Sequence, residues 1–146
     1  MAYDFDLFVI GGGSGGIAAA RRATEYGARV GLAEVGRLGG TCVSRGCVPK
    51  KLMGYASHFA EQFEAAAGYG WTVGDRQFNW PTLITALDRE VTRLNGIYQT
   101  MLEKSGVQLF RHYAHFLDDH SLVVGEEKIT AGKILIAVGG RPVKPD

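Results

Sequence analysis

The chain has 146 residues, 46% hydrophobic and 21% charged, with a formal net charge of +1 at pH 7. That length suits one domain with a real core, and so even a charge balance gives no electrostatic footprint for a nucleic-acid or membrane partner. No apolar run approaches the roughly 20 residues of a membrane span, and only Met1 to Asp4 precede the first apolar stretch, too few for a signal or transit peptide; the chain as given reads as cytoplasmic.

Phe5 to Ile10 is an apolar run broken only by Asp6, the pattern of a buried parallel strand. It runs into Gly11-Gly12-Gly13-Ser14-Gly15-Gly16, which satisfies G-x-G-x-x-G at Gly11, Gly13 and Gly16, and an alanine-rich helix is predicted from Ile17 to Tyr26, ended by Gly27. In such a motif the first glycine makes the tight turn, the second lets a pyrophosphate approach the backbone, and the third lets helix and strand pack closely. The phosphate then sits on free N–H groups at the helix N-terminus. Arg29 to Glu34 reads as the second strand and ends on an acid about 20 residues beyond the glycines, where a dinucleotide fold bonds a ribose hydroxyl. An acid there suits the unphosphorylated adenosine ribose of FAD or NAD, and does not suit NADPH.

Next comes Gly39 to Lys51, Gly-Gly-Thr-Cys-Val-Ser-Arg-Gly-Cys-Val-Pro-Lys-Lys, which holds the only cysteines, Cys42 and Cys47. Their spacing is close enough for a bridge. A loop that small stabilises a fold less than a long-range disulfide does, so chemistry is the better reason for it. In a reducing compartment a disulfide is more often transient and catalytic than structural. Pro49 and the apolar series Leu52, Tyr55, Ala56, Phe59, Phe63 predict a helix starting at or near Cys47, whose positive end, with Lys50 and Lys51, favours a thiolate. The four histidines are scattered and no second cysteine pair exists, which argues against structural zinc. A redox pair and two buried free thiols both stay open on spacing alone. A redox pair needs an electron acceptor beside it, which favours a flavin over NAD in the dinucleotide site.

Gly68 to Phe78 reads as a glycine-rich link. Pro81 to Lys104 reads as a long amphipathic helix with Leu83, Leu87, Val91, Leu94, Ile97, Tyr98 and Met101 near one stripe, a core face. Val107 to Arg111 is a short strand. Ala114 to Leu117, Ser121 to Val124 and Lys128 to Thr130 look like a three-stranded antiparallel meander, and Lys133 to Val138 like another buried strand opening into Gly139-Gly140, a second close approach to the cofactor. No second dinucleotide motif follows, and nothing in the chain looks like a place for a nicotinamide or a dimer interface. The fold class expected is α/β, a Rossmann-type parallel sheet with an antiparallel β-meander attached.

From Tyr3 to Pro145 this combination resembles the pyridine nucleotide-disulfide oxidoreductases, flavoenzymes with a C-x-x-x-x-C redox disulfide. Cys-Val-Pro-Lys-Lys, Ser14, Arg21 in Ala-Arg-Arg-Ala, and Leu94-Asn95-Gly96-Ile97-Tyr98 are most like the branch that reduces glutathione disulfide with NADPH; members acting on dihydrolipoamide usually end the cysteine stretch in Pro-Ser-Lys. The resemblance implies that residues 1–146 are the N-terminal segment of a discontinuous FAD domain, with an NADPH domain and an interface domain further on and a homodimer as the working unit. It implies bound FAD, NADPH as cosubstrate, Cys42 as the interchange thiol, Cys47 as the thiolate facing the flavin, and Lys50 near the flavin's reactive edge. With the glycines Gly11, Gly13, Gly15 and Gly16, it implies FAD contacts from Ser14, Glu34, Gly40, Thr41, Cys42, Ala114 and Gly139. Ser14, Arg21 and Tyr98 would line the glutathione site.

Three departures limit the match. Val138 stands where the family usually has threonine, so only a backbone approach is expected there. Ser44-Arg45 falls in a loop that differs between members. The family's catalytic histidine and its acidic partner come from the interface domain and are not in this sequence, so the segment alone is expected to be inactive. The competing readings are a sibling enzyme acting on dihydrolipoamide, trypanothione or mercuric ion, and a non-catalytic flavin-binding or redox-sensing module.

Overall fold

The computed structural model describes residues 3–145 and opens on the expected first strand, β1 (Phe5–Ile10). Its side chains alternate between two apolar clusters, Leu7 and Val9 joining one and Phe8 and Ile10 the other. Helix α1 (Ser14–Glu25) starts inside the glycine motif rather than at Ile17, because the Gly13 carbonyl already accepts the Ile17 N–H at 2.9 Å. Strand β2 (Val30–Ala33) pairs parallel to β1, with Leu7 opposite Val30 and Ile10 opposite Ala33. Glu34 therefore lies just past the strand, although its N–H still donates to the Phe110 carbonyl at 2.9 Å.

Two helices follow where one was expected: α2 (Gly40–Arg45), then α3 (Cys47–Ala65), which does begin at the second cysteine. A single 3-10 turn (Ala66–Tyr69) leads into irregular chain. Helix α4 (Trp80–Lys104) is capped by Asn79, whose side-chain oxygen accepts the Thr82 N–H at 2.9 Å. Its core face is rotated slightly from the predicted stripe. Leu87 and Val91 are buried, but Ile97 is exposed and Leu102, outside the stripe, is fully buried, because the end of α4 packs over Leu38 and Val107. Among the described residues no helix is long and apolar enough to cross a membrane.

Strands β3 (Gln108–Phe110), β4 (Ala114–Asp118), β5 (Ser121–Val124) and β6 (Glu127–Ile136) complete one six-stranded sheet in the order β3-β2-β1-β6-β5-β4. The third meander strand and the last parallel strand, expected as two, are one. β6 pairs antiparallel with β5 over Glu127 to Thr130, then parallel with β1 from Ala131 opposite Phe5 to Ile136 opposite Ile10. Gly132, between the two expected strands, is a close approach: a Cβ there would lie 3.3 Å from the Asp6 carbonyl oxygen. Nor is the second half of β6 fully buried. Ile136 is 62% exposed, because the described chain does not cover both faces of the sheet at that point.

The two clusters occupy opposite faces of the sheet. Val9, Val30, Leu32 and Val107 meet Ile17 and Ala20 of α1, Leu102 of α4 and Leu38. Phe8 and Phe110 meet Leu122, Val124 and Ile129 of the meander. Gly31 makes room for the Phe8 ring, which a Cβ would approach to 2.6 Å. With β1, α1 and β2 forming a parallel crossover unit, the carboxyl ends of β1, β2, β3 and β6 are gathered along one edge.

Candidate functional site

A cleft of about 1200 Å³ opens at that edge, where an open α/β sheet binds its ligands. Its wall is built from the glycine loop after β1, Glu34 to Arg37 after β2, the cysteine segment, His112 to Ala114 after β3, and Ala137 to Gly139 after β6.

The glycines of the loop divide into two kinds. A Cβ on Gly16 would fall 1.8 Å from the Gly11 carbonyl oxygen, and one on Gly11 would fall 2.3 Å from the Ala137 carbonyl oxygen, so the fold itself requires both. A Cβ on Gly13 would meet nothing closer than 3.7 Å, and one on Gly15 nothing within 4 Å. Packing within the chain does not demand glycine at those two positions. The open space over α1's N-terminus is of the kind that a pyrophosphate fills in this class of fold, so the residues present fit a dinucleotide.

Glu34 secures that loop. One carboxylate oxygen accepts the Gly12 N–H at 2.8 Å and the other accepts the Gly36 N–H at 2.6 Å. A carboxylate has about four lone-pair sites, so two acceptor positions are left for a ligand hydroxyl in the cleft.

The cysteine segment docks directly on the glycine loop. The Gly39 N–H donates to the Gly12 carbonyl at 2.8 Å, and Gly39 and Gly40 take φ of +101° and +67°, a double left-handed turn that side chains would oppose. A Cβ on Gly40 would come within 2.9 Å of Gly13 Cα. Behind the turn, Leu38 is fully buried and its carbonyl accepts Asn95 Nδ2 of α4 at 2.6 Å, while Arg37 pairs with Asp88 of α4 at 2.8 Å. With Val43 buried, α2 presents Cys42 outward. Cys42 and Cys47 form a disulfide with their Cα atoms 4.6 Å apart, joining α2 to the first residue of α3. The bridge lines the same cleft as the glycine loop. Ser44 Oγ, between the cysteines, is buried with no hydrogen-bond partner among the described residues.

Of the residues singled out from sequence, Gly11, Gly13, Ser14, Gly15, Glu34, Gly40, Thr41, Cys42, Cys47, Ala114 and Gly139 all line the cleft. Gly16 is buried beneath it, and Lys50 is exposed on α3 outside its wall. Arg21 and Tyr98 stand apart from it. Arg21 Nε reaches Ser105 Oγ at 3.4 Å between α1 and the end of α4, and Tyr98 packs on the helix-covered face of the sheet. Val35, Arg37, His112 and Tyr113 also line the cleft without having been picked as site residues, and Val138, expected to approach only through its backbone, lines it as well. The signal for the missed ones was available: Val35 and His112 follow closely on strands whose carboxyl ends face a ligand in this class of fold.

The family model described as pyridine nucleotide-disulphide oxidoreductase matches residues 5–146. The chain is similar to the glutathione reductase of Nostoc sp. (strain PCC 7120 / SAG 25.82 / UTEX 2576), 59% identical over 146 residues, which is 100% of this chain and 32% of the relative. To the glutathione reductase of Burkholderia cepacia it is 50% identical over 143 residues, 98% of the chain and 32% of the relative. To the chloroplastic/mitochondrial glutathione reductase of Pisum sativum it is 43% identical over 155 residues, 99% of the chain and 28% of the relative. The chain thus spans about a third of the length of these relatives. A glycine loop latched by Glu34, a disulfide docked against it, and a family match over nearly the whole sequence agree: the chain belongs to the pyridine nucleotide-disulphide oxidoreductase family.

Proposed function

We propose that this chain is the N-terminal segment of the FAD domain of a homodimeric, cytoplasmic, NADPH-dependent glutathione reductase. The observation that carries the reading is the Cys42–Cys47 disulfide lining the cleft whose floor is the dinucleotide loop. The names of the three relatives support the substrate. Their greater length, and the absence of any buried residue on α3, support further chain packing against this segment.

In this reading Ser14, Gly15, Glu34, Gly40, Thr41, Ala114 and Gly139 hold FAD, Glu34 through the adenosine ribose. When bound, the flavin supplies two electrons that arrive from NADPH as a hydride. Two electrons and a proton open the bridge, leaving one thiol and one thiolate. The Cys42 thiol attacks one sulfur of glutathione disulfide, its proton passing to the departing glutathione thiolate, and leaves a mixed disulfide; the Cys47 thiolate then attacks the Cys42 sulfur, releasing the second glutathione as a thiolate that takes a proton from water and closing the bridge. Lys50 and the α3 N-terminus favour the Cys47 thiolate. Ser14, Arg21 and Tyr98 bind glutathione, Arg21 through a carboxylate held bidentately.

The test is a pair of substitutions in the full-length protein. Cys42→Ser should keep a long-wavelength flavin–thiolate absorption band, Cys47→Ser should abolish it, and both should lose disulfide reduction. Unchanged spectra in both would make the bridge structural. Arg21→Ala should raise KM for glutathione disulfide with kcat little changed, the pattern of lost uniform binding. An unchanged KM, or a wild-type protein that prefers lipoamide, would move the assignment to a sibling reductase.

A further inference from the structure

Arg45 is the cation in the cleft that nothing in the fold uses. It is exposed, lines the cleft with both cysteines, and has neither a hydrogen-bond nor an ion-pair partner among the described residues. The other charged groups around the bridge are differently placed. Glu34 is bonded to the Gly12 and Gly36 N–H groups, and Arg37 is neutralised by Asp88 of α4. His112 stands on the wall after β3, Lys50 lies outside the cleft wall on α3, and Lys51 of α3 sits over the Tyr55 ring at 5.6 Å. Residues 39–51 contain no carboxylate to offset Arg45.

Helical spacing aims this charge. Cys42 and Arg45 are three residues apart within α2, and such pairs share a face with Cβ atoms about 5–6 Å apart. A positive charge on the same helix face and in the same cleft favours an anion on the Cys42 sulfur and is neutral toward the closed bridge, which carries no charge. We infer that Arg45 is a positioning residue for the redox pair: its guanidinium stabilises the thiolate formed when the Cys42–Cys47 bridge opens, and so shifts the pair toward the reduced state. The inference rests on the reading of the bridge as redox-active. The step balances as two electrons from a flavin or dithiol donor and one proton, carried by whichever sulfur is not the anion; Arg45 favours the anion at Cys42, as the α3 N-terminus favours it at Cys47.

The experiment uses the full-length protein, reduced with dithiothreitol, and follows iodoacetamide alkylation of the two thiols from pH 5 to 9 in wild type, Arg45→Gln and Arg45→Lys. Arg45→Gln should lower the thiolate fraction near neutral pH about threefold to tenfold, up to about one pKa unit, with Arg45→Lys close to wild type. In a glutathione redox buffer the same variant should favour the disulfide by a similar factor, and added salt should shrink the difference. Coincident pH profiles for the three proteins overturn the inference, and if Arg45→Gln instead raises only KM for an anionic disulfide, Arg45 reads substrate. A wild-type bridge that dithiothreitol cannot open defeats the redox reading itself and this inference with it, an outcome distinct from a reducible bridge indifferent to Arg45.

Discussion

Gly15 and Gly16 are neighbours that are glycine for different reasons, and substitution should separate them by sign. Alanine at Gly16 drives its Cβ into the Gly11 carbonyl, and overpacking of backbone against backbone should cost about 2–3 kcal/mol. Alanine at Gly15 meets nothing within 4 Å and lies in α1, where it should gain roughly 0.5–1 kcal/mol. Thermal melts should show Gly16→Ala destabilised and Gly15→Ala equal to or above wild type. FAD titration of the full-length protein should nonetheless show Gly15→Ala weakened by about tenfold, or about 1.4 kcal/mol, because the methyl occupies the phosphate cradle. Unweakened binding in Gly15→Ala would remove that cradle from the cofactor site.

Elements defined by short-range rules were legible in the sequence. β1 is an apolar run interrupted only by Asp6, the helix after it is announced by glycines, and the acid after β2 falls at a fixed chain distance. The same holds for α4, whose Asn79 cap and Pro81 in the first turn are local signals; Asn79→Ala should lower stability by about 1 kcal/mol in urea titration, with the helix otherwise intact. What was missed depends on contacts distant in sequence. The short α2 has no amphipathic repeat to read and exists because Gly39 and Gly40 turn against Gly12 and Gly13. The continuity of β6 depends on Gly132 lying against β1, a strand more than 100 residues earlier by the chain numbering. Arg37 reaches Asp88 across a separation that periodicity does not record. For the site, the motif residues were legible individually, whereas the joining of glycine loop and cysteine turn was not, since it is made by backbone atoms.

Across the whole molecule, the edge of the sheet opposite the cleft is closed by charge. Asp4 accepts both the Thr130 hydroxyl, at 2.7 Å, and the Thr130 N–H, at 2.8 Å, tying the N-terminal end of β1 to β6. Asp6 takes the Arg29 guanidinium and N–H, tying β1 to the start of β2. The hydrogen bonds from Thr130 hold the Asp4 carboxyl below the usual carboxylate range, and the Arg29 guanidinium does the same for Asp6. Folded-state pKa values below the unfolded ones mean stability that is complete above the unfolded value, near 4, and lost as pH falls through the lowered values. The urea midpoint should therefore drop between neutral pH and pH 3, modestly because both groups are exposed, and Asp6→Asn should flatten part of that drop. A midpoint equally acid-sensitive in Asp6→Asn would assign the effect to other carboxylates.

The hydrogen bond from Gly39 to Gly12, with the Gly13–Gly40 contact beside it, gives the nucleotide loop and the sulfur-bearing turn a common boundary. Whatever free energy separates cofactor affinity in the bridged protein from that in the dithiol must, by thermodynamic reciprocity, separate the bridge's redox equilibrium with and without cofactor by the same amount. A backbone contact of this kind is where any such coupling between occupancy of one loop and oxidation of the other would be carried.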